Sequence, residues 1–182
     1  MSEAGAMLEP GAVGFERLFD GDIDQLWRYL VEGDRRAVWL AGGDDIPAEP
    51  GAEFELRFHH RALSPRQVPT PERFRSFEEG MSSRHRVLRC EPPRLLVISW
   101  GGGADGEDSE VSFELSEAGE GRVRLKLTHR RLADPDAMRL VAGGWHTHLD
   151  GLADRLAGRT PEPFWTRFMA AEADYAGRFI QD

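Results

Sequence analysis

At 182 residues, 40% of them hydrophobic and five of them tryptophan, the chain holds enough for one core of ordinary size and too little for two full domains. Its formal net charge of -9 disfavours a polyanionic partner such as nucleic acid, which takes concentrated Lys and Arg to displace condensed counterions. The single cysteine, Cys90, excludes an intrachain disulfide framework, and neither a secretion signal nor an apolar run of membrane-spanning length is visible, so a cytoplasmic protein without a membrane span is expected.

Residues 1–11 are small, polar and punctuated by Gly and Pro, and read as a flexible N-terminus. Val13, Phe15 and Leu18 predict a first strand between Ala12 and Phe19. Asp22 is a candidate N-cap for a short helix with Ile23, Leu26, Trp27 and Leu30 on one face, and Arg35 to Leu40 reads as a second short helix ending at Gly42-Gly43. After the turn from Pro47 to Gly51, Phe54, Leu56 and Phe58 alternate with Glu53, Glu55 and Arg57, the pattern of a strand with one buried face. The loop from Ser64 to Glu72, with three prolines, is longer than most connections and is either a pocket edge or an exposed insertion. Arg73 to Phe77 is expected as an edge strand and Ser83 to Cys90 as the next strand. Pro92-Pro93 breaks the chain before Leu95 to Trp100, whose nearly continuous apolar run suits a more buried strand, and Gly101 to Asp108 reads as a glycine-rich, acidic hairpin loop.

Two strands follow in which Val111, Phe113 and Leu115 share a face, as do Val123, Leu125, Leu127 and His129, while Arg122, Arg124, Lys126 and Thr128 take the other. Spacings of three and four then put Val141, Trp145, His148, Leu149, Leu152 and Leu156 on one helical stripe. Asp134-Pro135 opens that helix and Gly158 closes it. Beyond it, Phe164, Phe168, Tyr175 and Phe179 predict a further amphipathic helix within a C-terminal extension, 159–182.

The order is a strand, two short helices, about six strands and a long helix. Within it stand Trp39, Gly51-x-x-Phe54, Pro93-x-x-Leu96-x-x-x-Trp100, Ser109-x-Val111-x-Phe113-x-Leu115 and Gly144-Trp145-x-x-x-Leu149. Together these resemble the activator of heat-shock-protein-90 ATPase homologue family, within the START-like, birch-pollen-allergen-like (SRPBCC) superfamily, from about Ala12 to Gly158. The resemblance implies an α+β helix-grip fold: a curved antiparallel sheet, two short helices and one long C-terminal helix over a hydrophobic cavity, with 12–158 as the domain. Relatives include cochaperones, lipid and hormone carriers and polyketide cyclases, so the fold alone does not choose a function. The eukaryotic cochaperone carries an additional N-terminal domain for which this chain has no room, and the tail from Pro163 looks like the aromatic-rich helix of some bacterial members.

Candidate chemistry is sparse. Parity turns His129 inward, where it either contacts a ligand or is a strand-end histidine satisfied by a neighbour, and His85 has the same two readings with a less defined face. His59 and His60 point to opposite faces of a strand, and His146 and His148 lie about 200° apart on a helix, so neither pair has chelating geometry. Cys90 lacks a nucleophile motif, and glycines 101–103 are not followed by a helix, so neither thiol catalysis nor dinucleotide binding is expected. Trp39, Phe54, Phe58, Trp100, Phe113 and Trp145 are enough to line a pocket or to fill a core.

The expected function is therefore binding of a hydrophobic or amphipathic small molecule in a cavity bordered by Trp39, Phe54, Phe58, His85, Trp100, Phe113, His129, Trp145 and Leu149. No catalytic residue, metal or cofactor is assigned. A cyclase- or hydrolase-type enzyme using the same cavity and a cochaperone-like interaction module stand as alternatives, with a homodimer or a chaperone contact as the protein partners to be considered.

Overall fold

The computed structural model describes residues 4–101 and 107–179. Eight antiparallel strands form one curved sheet in the order β1-β2-β8-β7-β6-β5-β4-β3. They are β1 (Ala6–Glu9), β2 (Ala12–Asp20), β3 (Gly42–Gly43), β4 (Glu53–Phe58), β5 (Met81–Glu91), β6 (Leu95–Trp100), β7 (Ser109–Glu117) and β8 (Arg122–Arg130). Short helices α1 (Ile23–Val31) and α2 (Gly33–Arg36) follow β2, the long helix α3 (Pro135–Leu156) follows β8, and α4 (Phe164–Arg178) packs on α3. This is the helix-grip fold.

Alternation builds the sheet's concave face. Val111, Phe113 and Leu115 of β7 and Val123, Leu125, Leu127 and His129 of β8 are all buried, while Arg122, Arg124 and Lys126 face solvent. α3 covers that face with Met138, Ala142, Trp145, Leu149 and Leu152. Its start is capped as its sequence requires: Asp134 Oδ1 accepts from Ala137 N–H at 2.7 Å, with Pro135 in the first turn. α4 approaches α3 where Gly143 has no side chain; a Cβ there would stand 3.3 Å from Cβ of Glu172.

The chain departs from its sequence reading in three places. The stretch 1–11 contains strand β1, held to β2 by the turn at Pro10-Gly11 and tethered by Gly5 N–H to the Tyr175 hydroxyl. The second short helix stops at Arg36 instead of reaching Leu40. The buried Arg36 guanidinium collects the carbonyls of Leu30, Val31, Ala41, Gly42 and Asp44, folding the chain back into β3. Gly43 makes that return possible, with φ of +100° and a position where a Cβ would lie 2.2 Å from the Glu55 carbonyl oxygen. Arg73 to Phe77 belongs to a 3-10 turn (Glu72–Phe77), not an edge strand; its three-residue period stacks Phe74 and Phe77 on one side. In the loop expected between Gly101 and Asp108, residues 102–106 lie outside the described residues.

Candidate functional site

Between α3, the sheet and α4 lies a cavity of about 330 Å³. Phe58 of β4, Met81, Ser83 and His85 of β5, Trp100 of β6 and His129 of β8 form its floor. Leu140, Val141, Gly144, Trp145 and His148 of α3 form one wall. The roof comes from two distant segments: His60, Phe74 and Phe77 of the connection between β4 and β5, and Phe164, Trp165 and Phe168 of α4. Among the described residues no lining side chain is a Lys, Arg, Asp or Glu.

The roof is fastened by contacts that span the sequence. The Arg73 guanidinium bonds the Glu172 carboxylate through both oxygens, Ser64 Oγ donates to the Pro161 carbonyl at 2.8 Å, and Arg155 donates to the Leu63 carbonyl at 3.0 Å. Phe74 stacks on Trp165 with centroids 4.9 Å apart, and His60 stacks on Phe164 at 4.1 Å. Phe77, Met81 and Leu140 remain more than a third exposed, leaving an apolar rim at the mouth.

Three histidines are held by specific hydrogen bonds. His129 accepts at Nδ1 from Trp145 Nε1–H at 3.0 Å, so its proton sits on Nε2 and is donated to Ser109 Oγ at 2.7 Å. Ser109 Oγ lies 3.0 and 3.1 Å from the carbonyls of Trp100 and Gly101, the acceptors for its own hydrogen. His85 lies with Nδ1 at 2.9 Å from the Ser99 carbonyl and Nε2 at 2.7 Å from Ser83 Oγ, which makes Nδ1 the donor. His148 donates from Nδ1 to the Trp39 carbonyl at 2.7 Å. Burial pushes His129 and His60 down to about 3 and His148 down to about 4, and it also lowers His85, so all four rings are neutral at physiological pH.

Of the nine residues proposed from sequence, Phe58, His85, Trp100, His129 and Trp145 border the cavity; Trp39, Phe54, Phe113 and Leu149 do not. Those four are packed one layer deeper. Phe54 stacks behind His85 at 5.6 Å, Phe113 meets the edge of Trp145 at 5.7 Å, and Trp39 and Leu149 are within the core. Missed from sequence were Ser83, His60, His148 and the roof aromatics. The helical spacing of Phe164 and Phe168 and the unusual length of the Ser64–Glu72 loop were the signals pointing to the roof; the position of Phe74 follows no period. Among the described residues no group of three or more His, Cys, Asp or Glu could hold a metal ion, and no helix is long and apolar enough to cross a membrane.

Comparison with known proteins agrees with this architecture. A solution structure of a Bordetella parapertussis protein is 50% identical with a TM-score of 0.81, covering 100% of this chain and 95% of that one. CalU16 from Micromonospora echinospora is 23% identical with a TM-score of 0.66, over 93% of this chain and 89% of its own. A Rhodobacter sphaeroides protein is 21% identical with a TM-score of 0.60, over 85% and 97%. The latter two likenesses speak for the fold alone. No curated protein is significantly similar in sequence. The family model of the activator of Hsp90 ATPase homolog 1-like protein matches residues 20–157, a span that runs from the end of β2 to the end of α3. With that match over most of the grip, the chain belongs to the activator of Hsp90 ATPase homolog 1-like family.

Proposed function

We propose that the protein binds a hydrophobic or amphipathic small molecule in the cavity between α3, α4 and the sheet. The observation that carries this reading is a cavity of about 330 Å³ whose lining is dominated by aromatic rings and contains no charged side chain among the described residues. Such a space gains free energy by taking apolar surface out of water, roughly 2.5 kcal/mol for each 100 Å² of ligand surface buried. The apolar rim of Phe77, Met81 and Leu140 supports entry from solvent. Catalysis receives less support, because histidines held neutral down to pH values of about 3 and 4 are weak bases near neutrality.

The test is titration of the full chain with Nile red, a neutral dye whose emission moves to the blue in apolar surroundings. Saturable, blue-shifted emission at one dye per chain is expected. Emission that never saturates would remove the basis of this reading.

A further inference from the structure

Resting on the reading of the cavity as a ligand site, we infer that Nε2 of His148 is its polar anchor, and that the ligand is an uncharged aromatic molecule whose hydroxyl group donates to that nitrogen.

The inference follows from accounting for the ring nitrogens. A neutral imidazole has one donor and one acceptor. In His85 and His129, the two histidines that parity brings to the fore, both nitrogens are already engaged with the protein. His148 is different. Its Nδ1–H is committed to the Trp39 carbonyl, which leaves Nε2 as a lone-pair acceptor, and that atom has no hydrogen bond among the described residues. The residue is 6% exposed and its ring borders the cavity. Unlike Nε1 of Trp165, Nε2 of His148 is not among the atoms sealed from a water-sized probe, so it presents an open lone pair at the cavity, where a ligand hydroxyl takes the place of water.

The same accounting selects against anions. A carboxylate or sulfonate would set its own lone pairs against that of Nε2, and the described lining offers no Lys or Arg to balance the charge. Protonating His148 to receive an anion works against the burial that pushes the ring down to about 4. Ser83 Oγ spends its hydrogen on His85 Nε2, so it too presents only lone pairs. Two further donors stand in the roof: Nε1–H of Trp165, which has no acceptor but is sealed from a water-sized probe, and the single N–H of neutral His60, whose ring lies face to face with Phe164 and whose one neutral donor does not balance the charge of an anion. The aromatic character comes from the walls: Trp100 and Trp145, packed together at 5.2 Å, and Phe164 and Trp165, packed together at 5.0 Å, all border the cavity, so a ligand ring meets aromatic edges and faces on both sides.

The experiment compares 2-naphthol with 2-methylnaphthalene, which replaces the hydroxyl by a methyl group of similar size, on the full-length wild type and on His148→Asn. Asparagine offers an N–H where Nδ1 stood, preserving the bond to Trp39, and removes Nε2. Equilibrium dialysis should show the affinity ratio of 2-naphthol to 2-methylnaphthalene falling roughly fivefold to tenfold in the variant. A ratio equal in the two proteins overturns the anchor. In the wild type, the ¹⁵N resonance of His148 Nε2 should shift on adding 2-naphthol and not on adding 2-methylnaphthalene. Identical behaviour with both ligands overturns the anchor without reference to any variant. Binding of 2-naphthoate as tight as that of 2-naphthol refutes the preference for an uncharged ligand. If neither naphthol nor methylnaphthalene binds at all, the cavity reading itself fails; saturable binding indifferent to the hydroxyl refutes the His148 assignment alone.

Discussion

Trp145 and His129 meet across the boundary between α3 and β8, the indole N–H donating to Nδ1 of the imidazole at 3.0 Å. The contact ties the long helix to the sheet by a polar bond inside an otherwise apolar seam, and it sets which nitrogen of His129 carries the proton. Trp145→Phe keeps most of the packing and leaves Nδ1 of His129 without a donor. A loss of about 1–3 kcal/mol is expected for it, against roughly 3–5 kcal/mol for Trp145→Ala. Urea denaturation followed by circular dichroism measures both, and an unchanged midpoint for Trp145→Phe would show that the bond contributes nothing.

Acid should unfold the protein earlier than its carboxylates alone would dictate. His60, His129 and His148 are held by burial at about 3, about 3 and about 4, whereas an unfolded histidine titrates near ~6.5. Between those values the unfolded chain takes up protons that the folded one refuses. The stability these neutral rings permit is complete above roughly pH 6.5 and declines as pH falls toward the folded values, by about 2 kcal/mol per ring at pH 5. His60 makes no hydrogen bond among the described residues and stacks on Phe164, so His60→Phe should flatten the dependence. Denaturation midpoints at pH 7.5 and pH 5 for wild type and variant decide the matter; parallel declines would discount His60.

Gly144 offers a way to close the cavity without disturbing the core. It borders the cavity, and a Cβ placed there would meet no heavy atom within 4 Å. Gly144→Leu should abolish Nile red binding while leaving the thermal midpoint equal or higher, because an interior helical glycine costs about 0.5–1 kcal/mol relative to alanine. Leu149→Trp is the wrong tool for this purpose. Leu149 is fully buried in the core, and the larger ring would overpack it. Undiminished dye binding in Gly144→Leu would place the dye elsewhere.

Tyr175 joins both ends of the described chain. Its hydroxyl accepts from Gly5 N–H at 2.6 Å and pairs with Nδ1 of His146 at 2.8 Å, so Tyr175→Phe strands a buried amide. Amide hydrogen exchange across Ala6–Glu9 should accelerate, with a loss of stability of about 1–3 kcal/mol. Unaltered protection of β1 would mean that the pairing with β2 holds that strand unaided.

Much of the fold could be read from spacing because the sheet is buried on one face and exposed on the other. Val123, Leu125, Leu127 and His129 alternate with charged residues, and the stripe of α3 repeats at three and four. Facing is what such patterns encode. Depth is not: Phe113 and Trp100 both serve the concave side, yet Phe113 lies behind Trp145 and Trp100 borders open space, a difference that alternation does not record. The free valence of His148 was equally hidden, since it depends on a carbonyl 109 positions upstream. His60 and Phe74 acquire their places only by meeting α4, across a connection with no repeating pattern to follow.

The fastening of the roof also has a consequence for the order in which the protein can be made. Ser64 waits 97 positions for Pro161, and Arg73 waits 99 for Glu172. A growing chain that has completed the sheet and α3 still lacks Phe164, Trp165 and Phe168, and the rings beneath them stand open to water. Pocket and hydrophobic hazard are then the same surface, separated only by the arrival of α4. Ligand present during synthesis would meet an open trough, whereas ligand added afterwards must pass the rim of Phe77, Met81 and Leu140.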